Sequence, residues 1–597
     1  MARPSTRAIV EAAVVLGVAM LVLGPALRPG VVLAYDLAWS PDARLTPFAT
    51  GVDTPAPRAV PSDAAAWLLG LLLTPGVAQK LVLGGALVLV GLGAAALVRV
   101  LRPGAGALAT CAAAVAAVWN PFVAERLVIG QWTVLLGYAV LPWAVRAALR
   151  VRGGSGGVTA LGGWAMLGAV GGANSLVIVG PPVVVLLLLP RPLWRAVLAW
   201  LALVAGAAAA WAVPALWGGL ASDPAGFTVF AARADGPLGL AVSLAGGGGF
   251  WNPASYPAER GVAPIAAAAA VLLTAGVVAV ALAARRGRGS TDDGPTAALG
   301  ERLDAAVLVL VAVALLGLLL ALASGTPGLA DAWSRLADVP GGALLRDSQK
   351  VVAPWVVLGA AGVGLLVDGL VRHRGAALVP AIGLTVVAPL LLPSLVWGER
   401  GRVEAVTVPA DLRQAAARLS SAPAGDVALL PWRQYRRYGW NDARVSLSLV
   451  PRMVDQRVLY DDSLPLSTGR IAGESPRSAA VTAAIDAGTD PWDAVVAQGA
   501  RYVVVEKDTG LATPTPPSGA GRVLADTAHV LVVEVPAPSR ATTGSNRTTE
   551  ATEATGAGDG AGSATGWGVT LATLATWLVL AGRRGFKGKR GANRTRW

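Results

Sequence analysis

The sequence predicts a polytopic α-helical membrane protein of about 12 spans, with an extracytoplasmic α/β domain before the last span. Three observations predict it. The 597 residues are 54% hydrophobic and only 14% charged, with a mean hydropathy of +0.59, too little charge to cover a soluble chain of this length. Apolar runs of roughly 20 residues, the length a bilayer core demands, recur along the chain. The arginines between those runs fall at every second junction, which marks those junctions as cytoplasmic.

The first span, 8–28, follows Arg3 and Arg7. It has the basic start and apolar core of a signal peptide, but no convincing small-residue cleavage site follows, so it reads as a retained helix. Further spans are expected at 80–101, 104–119, 131–149, 157–172, 175–190, 195–217, 262–284, 303–323, 350–371, 375–396 and 566–582. The basic junctions are Arg99 and Arg102; Arg146, Arg150 and Arg152; Arg191 and Arg195; Arg285, Arg286 and Arg288; and Arg372 and Arg374. Arg583, Arg584, Lys587, Lys589 and Arg590 repeat the pattern after the last span. Both termini are therefore expected on the cytoplasmic side of a cell inner (plasma) membrane. Merging the runs between Gly157 and Leu189 would flip every later loop, so two helices are expected there, turning at Gly171-Gly172-Ala173-Asn174.

This divides the chain into a multi-span domain, 1–397, with outer loops at 28–79, 120–131, 218–261 and 324–349, and a polar outer block, 398–536. A Ser/Thr/Gly/Ala linker, 537–565, leads to the last helix and basic tail, 566–597. Within loop one, Ala64–Leu73 is apolar but too short to span and is expected at the interface. The outer block alternates helix (Leu412–Leu419, Pro491–Gln498) with buried strand (Asp426–Leu430, Arg501–Glu506, Val530–Val535), the pattern of an α/β layer.

Composition also excludes. The net charge of +13 sits mostly in cytoplasmic junctions and the tail, where it sets topology and meets anionic lipid, so no nucleic acid is expected as partner. The single Cys111 makes no internal disulfide, and two histidines make no histidine-based metal site. Glu11, Asp304 and Asp368 lie near cytoplasmic ends of spans, and no span carries a central charge, which argues against ion-coupled transport. No nucleophile elbow, Walker loop or Cys–His metal spacing is present.

The acids gather outside instead. Asp36 follows the first span closely, where a carboxylate can take a proton from an acceptor hydroxyl during group transfer; the bland reading is a solvated loop residue or a cap. Asn120-Pro121 is expected to end a helix and to project Glu125-Arg126 into loop two. There Glu125 could ligate a divalent cation and Arg126 clamp a phosphate, or the two could simply pair. Arg346 and Lys350 precede a span where a lipid phosphate would sit, although interfacial anchoring explains them equally well. Trp432, Tyr435, Tyr438 and Trp440, interleaved with arginines, suit sugar stacking or packing on the membrane face.

These pieces resemble the GT-C class of integral membrane glycosyltransferases, and within it the arabinofuranosyltransferase-like membrane proteins of mycobacterial-type envelopes. The resemblance rests on Tyr35-Asp36, Asn120-Pro121-Phe122, Glu125-Arg126 and Gly130-Gln131-Trp132, then Gly171-Gly172-Ala173-Asn174 and Arg346-Asp347-Ser348-Gln349-Lys350. In the outer block it rests on Leu430-Pro431-Trp432 and the run from Gly499 to Val505. It implies a GT-C-like bundle, a polyprenyl-phosphate sugar donor, inverting transfer to a cell-envelope glycan or lipid at the outer face, and often a divalent cation (Mg or Mn). On that pattern Asp36 is the base and Glu125 the acidic, metal-holding residue of loop two. Arg126, Arg346 and Lys350 stand near the donor phosphate, and Trp132 and Asn174 are substrate-binding positions. Loop one departs in one respect: the next acid after Asp36 is Asp42. Two rival functions remain, an envelope lipid flippase or transporter and a non-catalytic partner in an envelope-assembly complex.

Overall fold

Nine helices among the described residues are long and apolar enough to cross a membrane. The computed structural model describes residues 6–52, 57–154, 157–217, 223–286, 295–339, 341–373, 377–466, 469–536 and 560–581. Most of the expected linker and all of the basic tail lie outside them.

In chain order the first helices are α1 (Thr6–Leu23), α2 (Ser62–Leu72), α3 (Pro75–Leu101), α4 (Ala107–Val118), α5 (Pro121–Val128) and α6 (Trp132–Arg152). Then come α7 (Val158–Val170), α8 (Gly172–Leu188), α9 (Trp194–Trp217), α10 (Ala263–Arg286), α11 (Pro295–Ser324), α12 (Ala353–His373) and α13 (Leu378–Leu391). The outer block contributes α14 (Ala410–Ser420), α15 (Pro476–Asp486) and α16 (Pro491–Ala497), and α17 (Gly560–Ala581) ends the described chain.

Two expectations need correction. The count of about 12 spans becomes nine, or ten if α13 and Pro393–Gly401, bent by 70°, form one broken span. The difference lies in that bent pair and in α7 and α8, which have 13 and 17 residues, short of a roughly 20-residue crossing. They meet at Gly171 and at Gly172, whose φ of +60° suits a residue without Cβ. The second correction concerns Asn120-Pro121, which starts a helix. The Asn120 side chain accepts from the Val123 amide at 3.1 Å, and Pro121 takes the first helical position. α4 and α5 thus form one span, Ala107–Val128, and Glu125 and Arg126 sit on a buried helix instead of in an open loop.

That span is the hub of the bundle, with 89% of its central window buried against 6% for α17 at the rim. α12 packs on α4 and α10, and α3 packs on α4 and α6. At the α10–α12 crossing, Gly276 faces Gly359 and Gly362 so closely that a Cβ would strike the opposite backbone. α17 lies along α7 and α9: the Trp577 indole donates to Thr159 O at 3.0 Å, and the Thr570 hydroxyl to Gly206 O at 3.0 Å.

Short strands stitch loop one to the outer block. β1 (Val31–Val32) pairs antiparallel with β2 (Ala405–Val406), and its other edge is met by the buried Gln79 amide, at 2.7 and 2.9 Å from Val32. In the block itself follow β3 (Val427–Leu430), β4 (Tyr435–Arg437), β5 (Val445–Leu447), β6 (Val458–Leu459), β7 (Leu464–Leu466) and β8 (Gly469–Ile471). β9 (Tyr502–Glu506), β10 (Arg522–Asp526) and β11 (Val530–Glu534) complete it. The main sheet has the order β10-β11-β9-β3-β6, antiparallel to β9 and parallel beyond it. β3 and β9 are buried on both faces, as parallel strands between helical layers must be. Leu430, Val503 and Val505 pack under α15 and α16, and Leu429, Tyr502 and Val504 belong to the core that includes α14.

The β4–β5 hairpin hangs from this sheet by a buried anchor. Arg436 Nε meets Glu506 Oε2 at 2.5 Å, and the hydroxyls of Tyr438 and Ser448 donate to Glu506 Oε1 at 2.9 and 3.1 Å. Those bonds fix the hairpin, and the hairpin reaches Asp36.

Candidate functional site

Asp36 sits where loop one, loop two and the hairpin meet. Tyr35 adopts a left-handed backbone (φ 45°), and its amide donates to Val445 O at 2.6 Å, which turns the next residue inward. The Asp36 amide donates to Ile129 O at 3.2 Å, and the Tyr435 hydroxyl donates to Asp36 Oδ1 at 2.7 Å. Gly130 (φ +75°) lies flush against the same loop, since a Cβ there would come within 2.6 Å of Leu37 Cβ. Burial lifts the Asp36 carboxyl above its ordinary range; hydrogen bonds from Tyr435 and Gln131 and the charges of Arg58 and Arg452 act against that lift. Such a group is a competent proton acceptor.

A second set of charges lies deeper. Glu125 and Arg126 are both fully buried. Arg126 stacks over the Phe250 ring, 4.0 Å from its centroid, hydrogen-bonds Gln349 and stands 3.6 Å from Asp347 Oδ1. Its Nε and Nη1 have no partner among the described residues. Asp235 grips Arg260 with both oxygens, at 3.0 Å each, and accepts the Gly249 amide at 3.1 Å. Glu125 lies against Asp235 across Gly248, where a Cβ would come 3.2 Å from Glu125 Oε1. Neither Glu125 oxygen accepts a hydrogen bond among the described residues.

The donor set fits a divalent cation poorly. Such an ion takes about six or more oxygens, whereas here Asp235 is occupied by Arg260, and Arg126 also presses its charge on Glu125. Among the described residues no group of three or more His, Cys, Asp or Glu is placed to hold a metal.

The segment from Arg346 to Lys350 joins the two sets. Gln349 Nε2 donates to Gly248 O at 3.1 Å, Ser348 Oγ lies 2.6 Å from Ser324 Oγ, and Lys350 Nζ donates to Asn174 Oδ1 at 3.0 Å. Arg346 stacks over Phe230 at 4.7 Å. Burial pulls its guanidinium down, and the like charge of Arg58 adds to that, against the acids Glu474, Asp347 and Asp223. Lys350 in turn feels Arg346 and Arg126 as like charges and Asp347 as the counter-charge. An anion among these cations would relieve their mutual repulsion.

The tertiary structure thus gathers Asp36, Arg346, Lys350, Arg126, Glu125 and Asn174 through shared charge or direct bonds. Trp132 packs edge-on to Trp39, with ring centroids 5.8 Å apart. The sequence reading missed Arg58, Arg452, Asp235 and Arg260 and put Tyr435 in a different role. Only the position of Arg260 just before an apolar span could have signalled any of them.

Beside the hub, a largely apolar cleft of about 420 Å³ opens between α4, α10 and α13. Ala116, Ile265, Leu272 and Leu391 line it, with Asn120 and Arg260 among its few polar walls. Arg260 Nη1 has no partner among the described residues.

No family model matches this sequence, and no curated protein matches it. Solved structures do match. The arabinofuranosyltransferase AftD from mycobacteria has a TM-score of 0.53 at 17% identity, covering 90% of this chain and 40% of that one. A mutant of AftD gives 0.54 at 18% identity, over 90% and 42%. The oligosaccharyltransferase AglB from Archaeoglobus fulgidus, solved with an inhibitory peptide and a dolichol-phosphate, gives 0.35 at 13% identity, over 83% and 69%. The fold is therefore similar to that of GT-C membrane glycosyltransferases over about 90% of this chain, and the chain spans about two-fifths of AftD.

Proposed function

We propose that this protein is a GT-C type glycosyltransferase that moves a sugar from a polyprenyl-phosphate donor to a cell-envelope glycan or lipid at the outer membrane face. The observation that carries the reading is a proton-accepting carboxylate, Asp36, held by Tyr435 at 2.7 Å, at one end of a chain of neighbouring cations, Arg58, Arg346 and Lys350. The apolar cleft beside Arg260 supports a lipid carrier, since a prenyl chain gains by burial there with its phosphate toward the neighbouring cations Arg126, Arg346 and Lys350. The proposed orientation keeps both termini cytoplasmic, which takes the bent α13 pair as a tenth crossing, and puts this face outside the inner membrane.

In the proposed reaction an acceptor hydroxyl attacks the anomeric carbon from the side opposite the phosphate, inverting it. The C–O bond to the acceptor forms as the bond to the phosphate oxygen breaks. The hydroxyl proton passes to Asp36, and the polyprenyl phosphate leaves with its charge balanced by Arg346 and Lys350. Every part rests on this chain's own residues.

The test loads membranes carrying wild type or Asp36→Asn with radiolabelled polyprenyl-phosphate sugars and follows label into glycan. Transfer by wild type and its loss in the folded variant is the expected result. Equal transfer by both would remove Asp36 from the reaction. No transfer from any donor, with both proteins intact, would overturn the enzyme reading in favour of a flippase or a scaffold.

A further inference from the structure

A second cleft, of about 400 Å³, lies between loop one, α2 and the outer block. Its charged walls are Asp42, Arg44, Asp63 and Arg452, and two indoles, Trp39 and Trp67, also line it. Each charged wall is held by a partner across the seam. Asp42 takes Arg413 through both oxygens at 2.5 and 3.2 Å, and Arg44 Nη1 reaches Asp455 at 2.9 Å. Arg452 Nε donates to Asp63 at 2.7 Å while its guanidinium stacks over Phe48 at 4.6 Å.

We propose that this cleft is a carbohydrate subsite that takes the neutral glycan acceptor beside Asp36. Two carboxylates and two guanidiniums line it and cancel in charge, so it suits a ligand rich in hydroxyls and carrying no net charge. Fixed acceptors and donors match a polyol, and an indole face matches the C–H face of a sugar ring. The place also fits. Trp67 is half-buried on α2, whose Leu68, Leu71 and Leu72 are 52, 56 and 74% exposed and would lie in the lipid boundary. The opposite end reaches the reaction centre, because Ala38 lines the cleft and its amide donates to Asp36 O at 3.0 Å.

The acceptor role rests on the transferase reading above; the binding does not. The test titrates the full chain in nanodiscs, by calorimetry, with neutral arabinofuranosyl and mannopyranosyl disaccharides and a uronic-acid disaccharide of the same size. Wild type binds a neutral sugar in preference to the charged one, Trp67→Ala weakens binding by at least about tenfold, and Trp67→Phe restores most of it. Where transfer is measurable, Trp67→Ala raises the acceptor KM and leaves the donor KM unchanged. Unaltered binding and acceptor KM in Trp67→Ala, preference for the acidic sugar, or no neutral sugar bound by wild type would each overturn the proposal. Sugar binding that depends on Trp67 without any transfer would uphold the cleft while removing the reaction.

Discussion

Asp36 and Glu125 look alike in the sequence, each an outer-loop acid next to a span, yet their settings are opposite. Asp36 is half-buried at a seam, held by a tyrosine from another part of the chain and open to a cationic neighbourhood. Glu125 is fully enclosed on the hub helix, without a hydrogen-bond donor among the described residues, between an arginine neighbour and the Asp235–Arg260 pair. A carboxylate that exchanges a proton with substrate needs a path to it, which the seam offers Asp36. The setting of Glu125 suits balancing the charges of Arg126 and Arg260 inside the bundle.

The sharpest way to break this contrast is a pair of isosteric amides. Asp36→Asn should lower transfer by about 100- to 10,000-fold, the usual worth of a general base, with no change in thermal unfolding. Next in size is the deep ion pair. Arg260→Ala strands the Asp235 carboxylate and should cost about 3–5 kcal/mol, read from unfolding of the detergent-solubilised protein; an unchanged melting profile would mean that Asp235 finds water.

Tyr435→Phe should act more gently, costing about 1 kcal/mol for the lost hydrogen bond. It also carries a signed pH effect. The tyrosine stabilises the charged form of Asp36, so its removal raises an already raised pKa. Because the ionised carboxylate is the base, the acid limb of the rate profile should move to higher pH. An unmoved limb would break the link between Tyr435 and the reaction. The smallest effect belongs to Glu125→Gln: transfer within about tenfold of wild type and stability within about 1 kcal/mol, since the amide keeps the shape and can donate to Asp235. A collapse of transfer comparable to that of Asp36→Asn would erase the distinction.

Much of the architecture was legible locally. A run of apolar residues must become a helix in lipid because no water is there to satisfy its backbone, and nearly every expected span coincides with a helix. The outer block behaves likewise, since Val427–Leu430 and Tyr502–Glu506 are continuous apolar runs of strand length. Asn120-Pro121 misled because the same pair that stops one helix also caps the next, and only packing of α5 into the hub decides between them. Arg346, Lys350 and Asn174 were legible as candidates, although their meeting was not.

The sequence by itself determined the class of the molecule and the acids and bases available to a site. Hydropathy and charge work through transfer between water and lipid, residue by residue, and need no knowledge of neighbours. The tertiary structure decided which of those charges meet. Tyr435 lies 399 residues from Asp36 and Gln349 lies 223 from Arg126. Contacts at such separations follow from how helices and sheet pack together, so burial and partnership, which separate Asp36 from Glu125, belong to the fold alone.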